Sequence, residues 1–466
     1  MQGTRGTPWT DTGPFQCLGH SLIMSRKGDG KTRRIAHTGG ASQDAAPPRP
    51  SSADRGEAPS ESAFLARESA PPPKGRRKNG SILMVNLVDI MSHEGGGHHQ
   101  MALMRGWRRA GLKVRMIAPR RHPSRVVTAD HIVRSWAPSR LSGIPGILDA
   151  IPQMFYIVTE RWRNKAATLY VRANALTFLQ VSLARLLGMF TVVEHNSWLA
   201  SERRSRGGGS LACWVEGVFQ VWSARMGHLS RCVTPGIGML LRDAGTRAEK
   251  IIVIGNGTDL DHFSVIDRDT AMRATGLDPG VTWLGFIGLL SPWQGVETAI
   301  AALPTLLTRY SVGLVIAGDG PERARLEQRV RDLNLQDNVI FLGWVNRDDA
   351  NTVINAFDIA LAPFTRRRNA EIGVSALKLR DYAAAGRFVV ASDIPGVRDL
   401  SETGWLFTHE PDNAADLARA VTSVLEARHT WPEARQRARA HAEAHFGWDV
   451  IADGLAERLV ARKRRL

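Results

Sequence analysis

From Ser81 onward, short apolar runs alternate with amphipathic stretches and glycine turns. The run at 82–88 is too short for a buried helix and has no polar alternation, which predicts a strand buried on both faces of a parallel sheet. A glycine-rich turn follows at 92–97, then a helix from about 98 to 110 stopped by Gly111, then a strand at 114–118. This is a β-loop-α-β unit. The alternation continues with strands at 168–171, 190–194, 232–234 and 251–254, and helices at 176–187 and after Pro235. A second series places strands at 283–287, 313–317, 339–342, 359–362 and 388–391, with helices between them, notably at 375–385. Two such series with a break near residue 250 predict an α/β protein of two doubly wound, Rossmann-like parallel-sheet domains facing a cleft. Ligands of such sheets sit outside the carboxyl ends of the strands.

The first 79 residues break this pattern. They are rich in Pro, Ser, Gly, Arg and Ala, and runs such as Ala45-Ala46-Pro47-Pro48-Arg49-Pro50 cannot form a packed element. The expected organisation is a disordered extension at 1–79, with Met24 and Met84 as alternative translation starts. A first α/β domain follows at 80–250, a second at 251–430, and C-terminal helices at 431–466, with Trp448 and Trp405 as core or docking positions. Three widely spaced cysteines, Cys17, Cys213 and Cys232, argue against a disulfide framework or zinc site and for a reducing compartment. No secretory signal is visible, and Gln180 and Arg185 interrupt the best membrane candidate at 175–193.

The formal charge of +16 leaves three readings. Nucleic-acid binding lacks a recognition module. Scattered surface arginine is the plain alternative. Attraction to an anionic membrane surface suits an enzyme whose acceptor sits in a bilayer, and the tail Arg462-Lys463-Arg464-Arg465 fits it as well as it fits a solvated terminus.

Candidate chemistry concentrates in two places. Gly95, Gly96 and Gly97 leave backbone N–H groups open at a helix N-terminus, which favours an anion, although such turns also arise for steric reasons alone. In the segment Glu371-Ile372-Gly373-Val374-Ser375-Ala376-Leu377-Lys378-Leu379-Arg380-Asp381, Ser375 is a good N-cap, Lys378 lies one turn in, and Asp381 follows at i+3. A helix N-terminus with a lysine makes a diphosphate site, and a later carboxylate can accept ribose hydroxyls. The plain alternative is a capped helix with a surface Lys–Asp pair worth about 0.3 kcal/mol.

This segment, with Gly386-Arg387-Phe388-Val389-Val390-Ala391-Ser392-Asp393 after it, resembles the signature helix of retaining GT-B glycosyltransferases of family 4. Further similarities fall in family order: Tyr170-Val171-Arg172, Glu194-His195-Asn196-Ser197, Gly255-Asn256-Gly257-Thr258-Asp259, Gly318-Asp319-Gly320-Pro321 and Phe341-Leu342-Gly343-Trp344-Val345. The resemblance implies an acceptor-side domain at 80–250, a nucleotide-sugar-binding domain at 251–430, helices at 431–466 that cross back to the first domain, and a donor ribose bound by Asp381. It places Ser375 and the amides of Val374, Ala376 and Leu377 at the phosphates, and Gly95–Gly97 over the donor. Gly343, Trp344 and Val345 would pack the base, and His195 and Asn196 would lie near the sugar.

Three departures from the family pattern involve four positions. Gly373 stands where the first member of the family's acidic pair is expected, with Glu371 out of register unless a bulge brings it in. Leu289 and Gln294, beyond Gly288, replace the usual Arg and Lys, so Lys378 is the expected substitute at the leaving group, helped by Arg172 or Arg203. Asp at 381 shortens the reach of the family's Glu.

Asp259-Leu260-Asp261 has the look of a metal motif, and His93, Glu94, His98 and His99 lack zincin spacing, so a hydrogen-bonding role beside the sugar or a plain helix surface suits these histidines better. No metal or other cofactor is expected. The expected activity is transfer of a sugar from a nucleoside diphosphate sugar to a glycan or lipid-linked acceptor, in the cytoplasm or on the inner face of the cell membrane, in cell-surface polysaccharide or glycolipid synthesis. A catalytically degenerate scaffold and a GT-B nucleotide-sugar epimerase are the rival readings.

Overall fold

The structure, a computed structural model, describes residues 81–86, 95–119, 131–135, 149–205, 207–375 and 377–463. The extension at 1–79, the loop at 87–94 with His93 and Glu94, and Ala376 lie outside the described residues.

Two parallel sheets form the two expected domains. The first contains β1 (Ser81–Val85), β2 (Lys113–Pro119), β3 (Ile132–Ser135), β4 (Thr168–Arg172), β5 (Phe190–His195), β6 (Leu229–Cys232) and β7 (Ile251–Val253), in the order β3-β2-β1-β4-β5-β6-β7. The second contains β8 (Thr282–Ile287), β9 (Val312–Ala317), β10 (Val339–Gly343), β11 (Ile359–Ala362), β12 (Val389–Ser392) and β13 (Leu406–His409), in the order β10-β9-β8-β11-β12-β13. Strand order reverses at β1/β4 and at β8/β11, so the crevices that hold ligands in such sheets open at these two points.

Each sheet is covered on both faces, which is why its strands read as unbroken apolar runs. In the first domain, α1 (Gly95–Arg109) lies on one face, with Met101, Leu103, Met104 and Trp107 in its core. On the other face α2 (Ala150–Arg163), α3 (Thr177–Leu186) and α5 (Ser210–Met226) lie side by side, with α4 (Leu199–Ser205) packed on α5. The helix α6 (Pro235–Asp243) follows, its N-terminus capped by Thr234 Oγ1, which accepts from Ile237 N–H.

Three expectations shift. Strand β6 is Leu229–Cys232 rather than 232–234. Strand β7 pairs with β6 through Ser230–Ile251, so it closes the first sheet and the domain change falls after it, not at 251. Of the two C-terminal helices, α14 (Trp431–His445) stays on the second domain, with Ala438 and Ala442 in its core. Only α15 (Trp448–Lys463) packs on α1, where the Trp107 indole donates to Ala452 O at 2.9 Å. The crossing chain is bound to the outgoing linker: Thr258 N–H donates to Phe446 O at 2.7 Å, and Trp448 N–H to Thr258 O at 3.3 Å. Trp448 sits in the first-domain core and Trp405 is fully buried in the second.

Candidate functional site

Between the domains lies a cleft of about 280 Å³. The linker supplies Gly257, Thr258 and Asp259, while His99 and Trp448 form the first-domain wall. The opposite wall carries Trp344, Val345, Arg347, Leu377 and Asp381. A cavity of about 290 Å³ on the outer side of α8 (Val296–Leu307) holds none of the predicted site residues. It is lined by the surface groups Glu297 and Arg325, which pair at 2.6 Å, so the interdomain cleft is the site with convergent chemistry.

The signature segment divides as follows. Helix α11 (Arg366–Ile372) ends at Gly373, whose φ of +68° sends the chain away from the helix. A Cβ at 373 would lie 2.9 Å from Pro395 O. A side chain at this position is therefore disfavoured by backbone conformation and by space, which explains why no glutamate stands there. The bulge that was to bring Glu371 into the site is not formed. Its side chain is exposed and outside the cleft, while the end of α11 docks on α6, with Thr234 Oγ1 donating to Ile372 O. Glu371 thus stands apart from the residues of this segment that line the cleft. Helix α12 begins at Leu377 (Leu377–Ala384), two residues beyond Ser375. Ser375 Oγ accepts from Asn256 N–H at 3.1 Å, so it ties the linker to the second domain rather than capping the helix. Val374 N–H is likewise taken by Pro395 O at 3.1 Å.

Lys378 and Asp381 do not pair with one another. Asp381 faces the cleft and accepts from Thr258 Oγ1 at 2.6 Å. Burial pushes its carboxyl up to about 6, against the lowering effect of Thr258, Arg347 and Arg380. Lys378 points to the end of β8, where its ammonium donates to Gln294 Oε1 at 2.7 Å and stands 3.6 Å from the centre of the Phe286 ring. A Cβ on Gly288 would lie 3.1 Å from Lys378 Nζ. Gly288, Gln294 and Lys378 thus meet at the β8 side of the switch point. Burial holds the Lys378 amine well below the ordinary lysine range, and no carboxylate pairs with it among the described residues. Leu289 is exposed, and Arg203 is occupied by Glu216 at 3.0 Å. Gly343 turns the chain at φ +71° and presents Trp344, itself 60% exposed, to the cleft.

On the first-domain side the expected sugar-facing residues belong to a buried polar network. Glu194 is fully buried and pairs with Arg231 at 2.8 Å. It also accepts from Gln100 Nε2 at 2.8 Å, from the Tyr170 hydroxyl and from Asn196 Nδ2, and lies 3.2 Å from His99 Nε2. Burial raises the Glu194 carboxyl, but Arg231 and then His99 outweigh it and hold the group well below the usual range. Arg231 continues into the linker, donating to Ile254 O at 3.1 Å and Gly255 O at 2.6 Å. Asn196 Oδ1 accepts from Asn256 Nδ2 at 3.3 Å, so Asn196, Asn256 and Ser375 form one chain across the domains. His195 does not line the cleft. Its ring is buried, Nδ1 lies 3.2 Å from Gln220 Nε2, and burial lowers its pKa to about 3, so it is neutral. The catalytic assignment of His195 is therefore not supported by position, whereas His99, stacked on Trp448 with ring centres 6.0 Å apart, reaches the cleft.

Gly95, Gly96 and Gly97 are the first turn of α1 rather than a loop before it. The part of the turn that precedes them is outside the described residues. Thr258 and Arg347 were not legible as site residues, whereas the sequence leaves His99 open to a hydrogen-bonding role beside a sugar. Thr258 stood in a quoted motif, but Arg347 and the buried Arg231 carry no local signal. Asp259 accepts from Arg347 at 2.8 Å and from His262 N–H, and no cluster of metal-binding side chains occurs among the described residues. None of the helices among the described residues is long and apolar enough to cross a membrane.

Residues 281–427 match the family described as glycosyl transferases group 1. An uncharacterised glycosyltransferase of Methanocaldococcus jannaschii is 28% identical over 215 residues, covering 44% of this chain and 53% of that protein. The D-inositol 3-phosphate glycosyltransferase of Rhodococcus erythropolis is 29% identical over 226 residues, covering 46% of this chain and 49% of that one. The chain thus spans about half the length of these relatives. Among solved structures, Anabaena HepE in complex with UDP and glucose superposes with a TM-score of 0.63 at 18% identity, over 82% of this chain and 100% of that one. The two-domain arrangement is the GT-B fold.

Proposed function

We propose that this chain is a nucleotide-sugar-dependent glycosyltransferase of the retaining, family 4 type, working without a metal on a glycan or lipid-linked acceptor. The observation that carries the reading is the disposition of Asp381 and Lys378 on successive turns of α12, one facing the cleft at the linker and the other at the β8 switch point. The family match over the second domain and the UDP and glucose held by HepE support a nucleoside diphosphate sugar as donor.

In this reading the base packs on Trp344 and Val345, and the ribose hydroxyls donate to Asp381, whose second partner is Thr258. The diphosphate lies over Gly288 and the opening turn of α12, where backbone N–H groups and the helix dipole favour an anion. Lys378 supplies the charge that Leu289 and Gln294 lack. An arriving diphosphate stabilises the ammonium form that burial disfavours. The developing charge on the leaving group is stabilised in the transition state by the same contact. Transfer on the same face of the sugar, with the departing phosphate accepting the acceptor proton, needs no protein nucleophile. This agrees with the outward position of Glu371. The domains close through the linker at 254–258 and the crossing at 446–448, which excludes water.

Thermal stability against a panel of nucleoside diphosphates and their sugars, with and without divalent metal, tests the donor site. Saturation at about 100 times Kd adds roughly 2.7 kcal/mol. A metal-independent rise with one nucleotide is expected, and Lys378→Ala should abolish turnover. Unchanged turnover in that variant removes Lys378 from the leaving-group role.

A further inference from the structure

The first domain carries an apolar surface that the cleft does not use. On α2, Ile151, Phe155 and Trp162 are exposed, Phe155 by 67% and Trp162 by 75%. At 100° per residue these positions fall within about 40° of one another, so they form one stripe along roughly 16 Å of helix. The inward side of the same helix is already satisfied by Gln153, Ile157 and Glu160, all buried. The stripe is therefore a second apolar face rather than a core face turned outward. The neighbouring helices extend it. Leu186 on α3 is exposed, as are Leu211, Trp214 and Trp222 on α5. Phe178 of α3 bridges the two helices through Phe219 and Trp222, with ring centres 4.7 and 5.9 Å away.

The exposed charge on these three helices has one sign. Helices α2, α3 and α5 carry Arg161, Arg163, Arg185 and Arg225, and Lys165 follows α2. Their acidic residues are Glu160, buried and held by Arg115 at 2.7 Å, and Glu216, held by Arg203 at 3.0 Å. Exposed Trp and Phe rimmed by arginine, with no free carboxylate on these helices, match an interfacial surface. The aromatic rings fit the headgroup boundary and the guanidinium groups fit anionic lipid.

We infer that the α2–α3–α5 face docks this protein on an anionic lipid bilayer. The inference rests on the reading above only in that a lipid-linked acceptor gives the docking a purpose.

The test uses the full chain and co-sedimentation with vesicles of phosphatidylcholine alone or mixed with phosphatidylglycerol, at low and high salt. The native chain should partition onto the mixed vesicles and leave them at high salt. Phe155→Ser with Trp162→Ser should weaken partitioning by about tenfold or more. Trp214→Ser with Arg163→Glu, on different helices, is the independent second variant. Each variant must keep the nucleotide-dependent thermal shift measured without lipid, which also reports separately on the glycosyltransferase reading. Native chain that ignores mixed vesicles, or variants that bind them as well as native, overturns the inference. So does a concentration-dependent dimer that the same variants disperse, because the face would then be a self-association surface.

Discussion

Asp381 is held in an environment that suits a ligand better than it suits the empty protein, and replacing it should reveal the cost. Its folded pKa of about 6 lies above the ordinary 3.8. A carboxyl raised in this way contributes stability below its unfolded pKa and loses it as pH rises through the folded value. Asp381→Asn keeps an oxygen to accept from Thr258 and removes the ionisation. Linkage between 3.8 and 6 makes the variant more stable than native by about 1 kcal/mol at pH 4.5 and about 3 kcal/mol at pH 8, the latter an upper figure because the side chain is only half-buried. Urea unfolding at the two pH values reads the difference directly. The same variant should lose nucleotide affinity, since an amide accepts ribose hydroxyls more weakly than a carboxylate. A difference that does not grow with pH, or a variant less stable than native at pH 8, would refute this account of the site.

Two other outcomes follow from the geometry. Arg231→Met takes the guanidinium from the fully buried Glu194, which should cost about 3–5 kcal/mol in urea unfolding and loosen the linker at 254–256. Gly373→Glu restores the family's acidic spacing in the sequence but meets φ +68° and the Pro395 carbonyl, so it should destabilise by about 1–3 kcal/mol and yield no gain in turnover. Higher turnover in that variant would show that the backbone adapts and that the missing glutamate limits the enzyme.

Much of the fold is a local matter. Runs such as Thr282–Ile287 and Val312–Ala317 are apolar on both sides because helices cover both faces of each sheet, and that pattern is visible one strand at a time. The helices at 150–163 and 210–226 escaped notice because they expose aromatics where an amphipathic helix should be polar, which blurs the period. The edge strand β7 is only three residues long, and its membership of the first sheet depends on its pairing with Ser230, Arg231 and Cys232.

The site divides along the same line. Lys378 and Asp381 were legible because their spacing on one helix, beside glycine turns, is a property of neighbouring residues. What each does was not. At i+3 the two looked like a pair, and burial on different sides separated them, sending Lys378 to Gln294 and Asp381 to Thr258. Likewise Glu194, His195 and Asn196 stand together in the chain, yet alternation along β5 and the loop after it gives them separate fates: an ion pair with Arg231, a buried neutral imidazole, and a bridge to the linker. The chain alone determined which elements form and where reactive side chains cluster, because hydrophobic period and helix spacing are short-range. Only the tertiary structure decided partner, exposure and protonation, because these depend on charges and packing brought together from distant parts of the sequence.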